Sequence, residues 1–199
     1  FTADQNADEG PDVEAKLCAT IRNCTATNNS GEWSEGFSVE SDEDVTVANA
    51  TAIGNGNDGF DIESLNGHVT VTLASGDLNG DDGMEIDADG GHVSAQGFTA
   101  DRNGDDGLDV DAIGYVTIKS CTSTNNSGEW SEGFYLWSEE DVVVVNATAI
   151  GNGDDGFEIA APSGDVSVTQ SSGNSNGNDG FEISATGAVA LHGLTADGN

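Results

Sequence analysis

Apolar side chains recur along this chain in short alternating runs, each starting just after a glycine that follows an acidic residue. The clearest are Phe60-x-Ile62, Met84-x-Ile86, Leu108-x-Val110, Phe157-x-Ile159 and Phe181-x-Ile183. Alternation with period two is the signature of a strand that buries one face. A second run follows in each unit (Val69-x-Val71, Val116-x-Ile118, Val142-x-Val144, Val166-x-Val168), then a third with small inward residues such as Ala50-x-Ala52 and Ala147-x-Ala149. The pattern predicts three short strands per unit around a narrow core of stacked side chains.

The marker glycines are Gly10, Gly36, Gly59, Gly83, Gly107, Gly133, Gly156 and Gly180, at intervals of 26, 23, 24, 24, 26, 23 and 24 residues. A period in the twenties with strand-like alternation predicts one β-helix coil per unit. The expected fold is all-β: a parallel β-solenoid of about eight coils, occupying 1–199 as a single domain. Four residues before each marker, or seven where an insert intervenes, stands an asparagine: Asn6, Asn29, Asn55, Asn79, Asn103, Asn126, Asn152 and Asn176, then Asn199. Asparagine tolerates left-handed backbone and bonds neighbouring backbone, which predicts a ladder linking coil to coil.

A longer period overlies the first. "CTATNNSGEWSEGF" (24–37) returns as "CTSTNNSGEWSEGF" (121–134), and the marker glycines also repeat at 97 residues. Two super-repeats, 1–97 and 98–194, are followed by the start of a third, and ends that fall inside a repeat predict a segment of a longer chain. At about 4.8 Å per coil, four coils advance roughly 19 Å, so the repeated inserts should project from one side of a rod.

The units NGNDGFDI, NGDDGMEI, NGDDGLDV and NGDDGFEI resemble those of the right-handed parallel β-helix repeat family, the pectin-lyase-like solenoids that include NosD-type periplasmic proteins. The resemblance covers the whole chain and implies the fold. It implies no single activity, because that fold carries lyases, hydrolases, epimerases, adhesins and structural fibres.

Charge narrows the partners. The chain has 37 acidic residues against 4 basic ones, a formal charge of −33, which excludes nucleic acid and anionic membrane surfaces. No apolar run approaches the roughly 18 residues of a membrane span. Hydrophobic residues make up 35% and fall at regular intervals, so the chain is not a disordered acidic tail. The balance suits high salt or a calcium-rich cell exterior. Five sequons, at Asn23, Asn28, Asn49, Asn125 and Asn146, are compatible with glycosylation there. Three cysteines give no disulfide framework: Cys24 and Cys121 take inward positions, and Cys18 faces outward, where it could cross-link to another chain.

The residue before every marker glycine is acidic, and outward strand positions add Asp12, Asp61, Glu85, Asp109, Glu158 and Glu182. Like charges recurring at strand spacing repel, and calcium, which takes six to eight oxygens, would relieve them. Glu9, Asp58, Asp82, Asp106, Asp155 and Asp179 are the candidate ligands. The alternative is that these are solvated turn residues screened by salt.

No catalytic residue is predicted. Doubled aspartates such as Asp81-Asp82 and Asp105-Asp106 resemble paired hydrolase carboxylates, but they recur in several coils without companion His, Arg or Lys motifs. The Asp-Pro-His signature of alginate epimerases is also missing. Arg22, Arg102, Lys16 and Lys119 are isolated, and His68, His92 and His192 are read as lying at different offsets. Trp33 and Trp130 sit in the polar insert, where no core position is open to them, and Tyr135 and Trp137 replace Ser38 and Glu40 to form an aromatic patch with Trp130. These rings are candidates for contact with a glycan or a second chain, unless each Trp folds over its own turn.

The expected function is a non-catalytic structural or adhesive repeat protein of the cell surface, with a cation-binding surface, self-associating into a fibre or lattice. The alternative is a calcium-dependent polysaccharide-active or glycan-binding β-helix.

Overall fold

Three strands recur in every coil of the computed structural model, which describes residues 2–6 and 9–199. In one coil they are Phe60–Ser64, Val69–Thr72 and Ser75–Asp77. Equivalent strands pair in parallel from coil to coil, building three eight-stranded sheets: a marker sheet after the marker glycines, a valine sheet, and a small-residue sheet. The predicted parallel solenoid of about eight coils is the fold observed. The described residues contain no helix long and apolar enough to cross a membrane.

Parallel pairing in this register sets each inward side chain on its own equivalent. Phe37 pairs with Phe60, Val39 with Ile62 and Ser41 with Ser64, while Val69 pairs with Val93 in the valine sheet. The core is therefore a set of columns, not a layer. Phe37 stacks on Phe60 at 5.1 Å, Phe134 on Phe157 at 4.9 Å and Phe157 on Phe181 at 4.7 Å, with rings within 10° of parallel. The third sheet lies so close to the marker turn that only small residues fit its inward column, which runs Ala52, Gly76, Ala100, Ser123 and Ala149. At the corner, a Cβ on Gly59 would stand 2.5 Å from the Gly83 carbonyl oxygen and 2.7 Å from Asn79 Nδ2, so glycine is required by close approach.

The asparagine column is a continuous buried ladder. The side-chain oxygen of Asn103 accepts both the backbone N–H (3.0 Å) and the side-chain N–H (3.1 Å) of Asn79, and that of Asn126 accepts the same pair from Asn103 (3.0 and 3.2 Å). The same pair of bonds links Asn6 to Asn29 and Asn176 to Asn199 at the two ends. One expectation needs correction: these asparagines do not supply left-handed backbone. The residue before each does, as at Asn28, Gly54, Leu78, Arg102, Asn125 and Ser175, because the turn must reverse sharply before the amide can point along the axis. Leu73 and Leu78 are left-handed and exposed, and nothing in the structure explains leucine at either position.

Asn103→Ala removes a buried acceptor of two N–H groups and a donor to the next coil. Each unsatisfied buried group costs about 1–3 kcal/mol, so a loss of about 3 kcal/mol is expected in urea unfolding monitored by circular dichroism. A change below about 0.5 kcal/mol would show that the ladder contributes no net stability.

Candidate functional site

The outer face of the marker sheet carries two carboxylate columns, because outward positions alternate with core positions along each strand. One runs Asp61, Glu85, Asp109, Tyr135 and Glu158, and the other Glu63, Asp87, Asp111, Trp137 and Ala160. Tyr135 and Trp137 thus interrupt both columns at one strand. Trp137 joins Asp87, Ala88, Asp89, Asp111, Ala112 and Ile113 around an open cleft of about 160 Å³. Burial and then the carboxylates of Asp111, Glu158, Asp109 and Glu132 push the Tyr135 phenol above its usual range, so it remains a neutral hydrogen-bonding group. Trp130 belongs to the turn insert, and among the described residues no ring contact joins it to Tyr135 or Trp137.

A third acidic column occupies the turn before the marker glycines. Here four carboxylates accept the backbone N–H of their equivalent in the next coil. Asp58 Oδ1 accepts from Asp82 at 2.9 Å, Asp82 from Asp106 at 2.6 Å, Asp106 from Glu132 at 2.7 Å, and Asp155 from Asp179 at 2.7 Å. Burial, outweighing those bonds, raises Asp58 to about 7 and Asp82 to about 9, with neighbouring carboxylates adding to the rise. On the marker-sheet face burial raises Asp61 to about 6 and Asp109 to about 7. Asp106 and Glu132 form a buried pair, both held above the carboxylate range chiefly by burial.

Among the described residues carboxylates converge at two places, Asp58–Asp82–Glu85 and Asp81–Asp82–Asp105, where one oxygen from each residue lies within 4.8 Å of the others. Of the predicted metal ligands, Asp58 and Asp82 take part. Asp106 and Asp155 accept backbone N–H groups outside both clusters, Asp179 donates its own N–H to Asp155, and Glu9 is half-buried in its own coil. Sequence reasoning missed Glu85, Asp81 and Asp105 as ligands, although the doubled aspartate and the outward strand position were visible signals.

The histidine reading needs correction. His68 and His92 take the same position in successive coils, with rings stacked at 4.7 Å, and Tyr115 continues the stack at 3.6 Å. His92 N–H donates to His68 Nδ1 and Tyr115 N–H to His92 Nδ1, both at 3.0 Å, so these rings cap backbone as the aspartates do. Cys121 is buried and Cys18 exposed as expected, whereas Cys24, near the end of the stack where fewer coils cover it, is only half-buried. Trp33 and Trp130 are each 73% exposed, so neither ring folds over its turn. All five sequon asparagines are exposed and left-handed, a backbone requirement that accounts for asparagine at these turns by itself.

The family described as right handed beta helix region matches residues 78–199, more than half of the chain. No curated protein matches it by sequence. Among solved structures, the crystal structure of the periplasmic alginate epimerase AlgG is similar, with a TM-score of 0.61 and 13% identity, over 98% of this chain and 50% of that one. The chain thus spans half the length of that enzyme, and likeness at this identity extends to the fold alone.

The raised carboxyls set a pH dependence. In the unfolded chain they ionise near 4, so above that pH the folded state holds more protons and stability falls as pH rises. The loss runs from pH 4 through about 7 for Asp58 and Asp109, and on to about 9 for Asp82. In chelator, the melting temperature should drop between pH 5 and pH 8. Asp82→Asn, which keeps the oxygen that accepts the Asp106 N–H, should melt above wild type at pH 8 and level with it at pH 5, while exposed Glu43→Gln should follow wild type. A wild-type melting temperature that rises over this range would refute the assignment.

Proposed function

We propose that this chain, which belongs to the right handed beta helix family, is a glycan-binding β-solenoid of the cell exterior that holds a neutral polysaccharide along the outer face of its marker sheet. The reading rests on the aromatic pair Tyr135 and Trp137, set into columns that are otherwise largely acidic, with Trp137 forming a wall of the cleft beside Asp87 and Asp111. Aromatic faces stack on the C–H faces of sugar rings, and carboxylates accept their hydroxyl protons. A charge of −33 repels a polyuronate and leaves a neutral chain as the favoured ligand. Similarity of fold to a periplasmic alginate epimerase supports a polysaccharide ligand, here a neutral one where alginate is a polyuronate, and an extracytoplasmic setting. The cleft is lined by carboxylates, aliphatic groups and one indole, a composition suited to retention.

Affinity electrophoresis in gels containing neutral glucans, mannans or a polyuronate tests this. Wild type should be retarded by a neutral polysaccharide, and Trp137→Ala should bind at least tenfold more weakly, about 1.4 kcal/mol. Equal retardation of the variant, or binding to the polyuronate alone, would overturn the reading, and new reducing ends would make the protein a hydrolase.

One observation favours a second reading, a structural repeat that associates laterally. Trp33 and Trp130 are equally exposed, in identical inserts four coils apart, so they offer two like contacts about 19 Å apart. Trp33→Ala with Trp130→Ala should keep the β-sheet circular dichroism and lose any filaments or sheets that electron microscopy finds for wild type. Unchanged assembly would remove both rings from that role.

A further inference from the structure

The hydroxyl of Ser131 is fully buried and has no hydrogen-bond partner among the described residues. A polar group cut off from water in this way costs about 1–3 kcal/mol unless something else satisfies it. Ser131 follows Asp81 and Asp105 in the column one residue before the marker carboxylates, and Asp105 N–H donates to the Asp81 carbonyl oxygen at 3.1 Å. The hydroxyl and the Asp105 carboxylate border the same spot: a Cβ on Gly128 would stand 2.5 Å from Ser131 Oγ and 3.0 Å from Asp105 Oδ1. The hydroxyl lies near enough to offset part of the rise that burial and Asp81 impose on the Asp105 carboxyl, but the two groups do not meet the geometry of a hydrogen bond.

Asp105 in turn belongs to the cluster in which one oxygen each from Asp81, Asp82 and Asp105 lies within 4.8 Å of the others. A calcium ion bound about 2.4 Å from each oxygen keeps any two of them no more than about 4.8 Å apart, so the spacing fits that ion. Asp82 Oδ1 is held by the Asp106 N–H at 2.6 Å, which leaves Oδ2 for a ligand. Asp81 is exposed and gives the site a side open to water. Elsewhere in the column stand asparagine at 57 and 178, serine at 34 and a further aspartate at 154, so Asp81 and Asp105 are the acidic pair in successive coils.

We propose that Asp81, Asp82, Asp105 and the hydroxyl of Ser131 form a calcium site in the turn between the small-residue sheet and the marker sheet. Three carboxylates and a neutral hydroxyl, completed by water, give the all-oxygen set that calcium takes. The ion cancels repulsion between stacked acids and satisfies the serine. The site goes beyond the glycan reading and does not depend on it. Ser34, the equivalent hydroxyl in the first insert, is also buried and without a partner among the described residues, to which Asp8, the preceding residue of that column in sequence, does not belong.

Trp130, the residue before Ser131, provides a built-in reporter. The chelator-stripped protein is titrated with calcium by calorimetry at fixed sodium, and with terbium while indole-excited luminescence is read. Calcium should bind saturably, and Asp105→Asn should weaken that binding at least tenfold, with Glu43→Gln unchanged. Terbium emission should vanish in Trp130→Phe, persist in Trp33→Phe and be quenched by calcium. Absence of saturable calcium binding, wild-type affinity in Asp105→Asn, or emission that depends equally on Trp33 would overturn the site and leave a buried water as the partner of Ser131. If circular dichroism shows that Asp105→Asn does not fold, the two Trp→Phe titrations decide the question.

Discussion

Each position in this solenoid must tolerate a copy of itself, or a close substitute, one coil away along the axis, about 4.8 Å in the direction of the ladder. That constraint sorts side chains by whether they can satisfy themselves. Phenylalanine can, as the stacked pairs at 37 and 60 and at 134 and 157 show. Asparagine can, because an amide carries both donor and acceptor, and the ladder through Asn79, Asn103 and Asn126 extends without a foreign partner. Aspartate cannot, since two carboxylates only accept. The column through Asp58, Asp82 and Asp106 persists because each acid takes a backbone N–H from the next coil, and what those bonds do not offset is expressed as protons held well above the usual range.

Self-stacking is also why the fold is legible in the amino-acid sequence. A rule that applies coil after coil leaves a period, and Phe60, Met84, Leu108 and Phe157 announce it through spacing alone. The asparagine ladder is legible for the same reason, though its backbone geometry is not. Which residue of the turn takes positive φ depends on how the chain reverses, and the Asn28–Asn29 and Asn125–Asn126 pairs hide the answer by placing asparagine at both positions. The stack of His68, His92 and Tyr115 is obscured by chemistry that changes along the column while the position does not.

The candidate sites are less legible because a site is a departure from the repeat, and departures carry no period. Tyr135 and Trp137 can be read as replacements of Ser38 and Glu40, since the first super-repeat provides the comparison. The convergence of Asp81, Asp82 and Asp105 has no such signature. It depends on how two side chains of one turn splay toward a third in the next coil, which the backbone register alone does not determine. Ser131 is harder still: serine in an insert reads as an ordinary turn residue, and only its burial without a partner sets it apart.

Where the self-stacking rule is broken, the environment of the neighbours changes too. Tyr135 falls between Asp109 and Glu158, setting an aromatic ring, where the first super-repeat has Ser38, into a column that is otherwise largely acidic. Burial with Glu85 and Asp111 nearby holds Asp109 to about 7, so near neutrality it is a carboxyl that both donates and accepts. A sugar hydroxyl needs that combination, whereas an ionised column offers acceptors alone. The aromatic ring and a carboxyl held above its usual range thus meet on adjacent strands of one face, and the proposed affinity for neutral hydroxyl-bearing chains rests on that pairing.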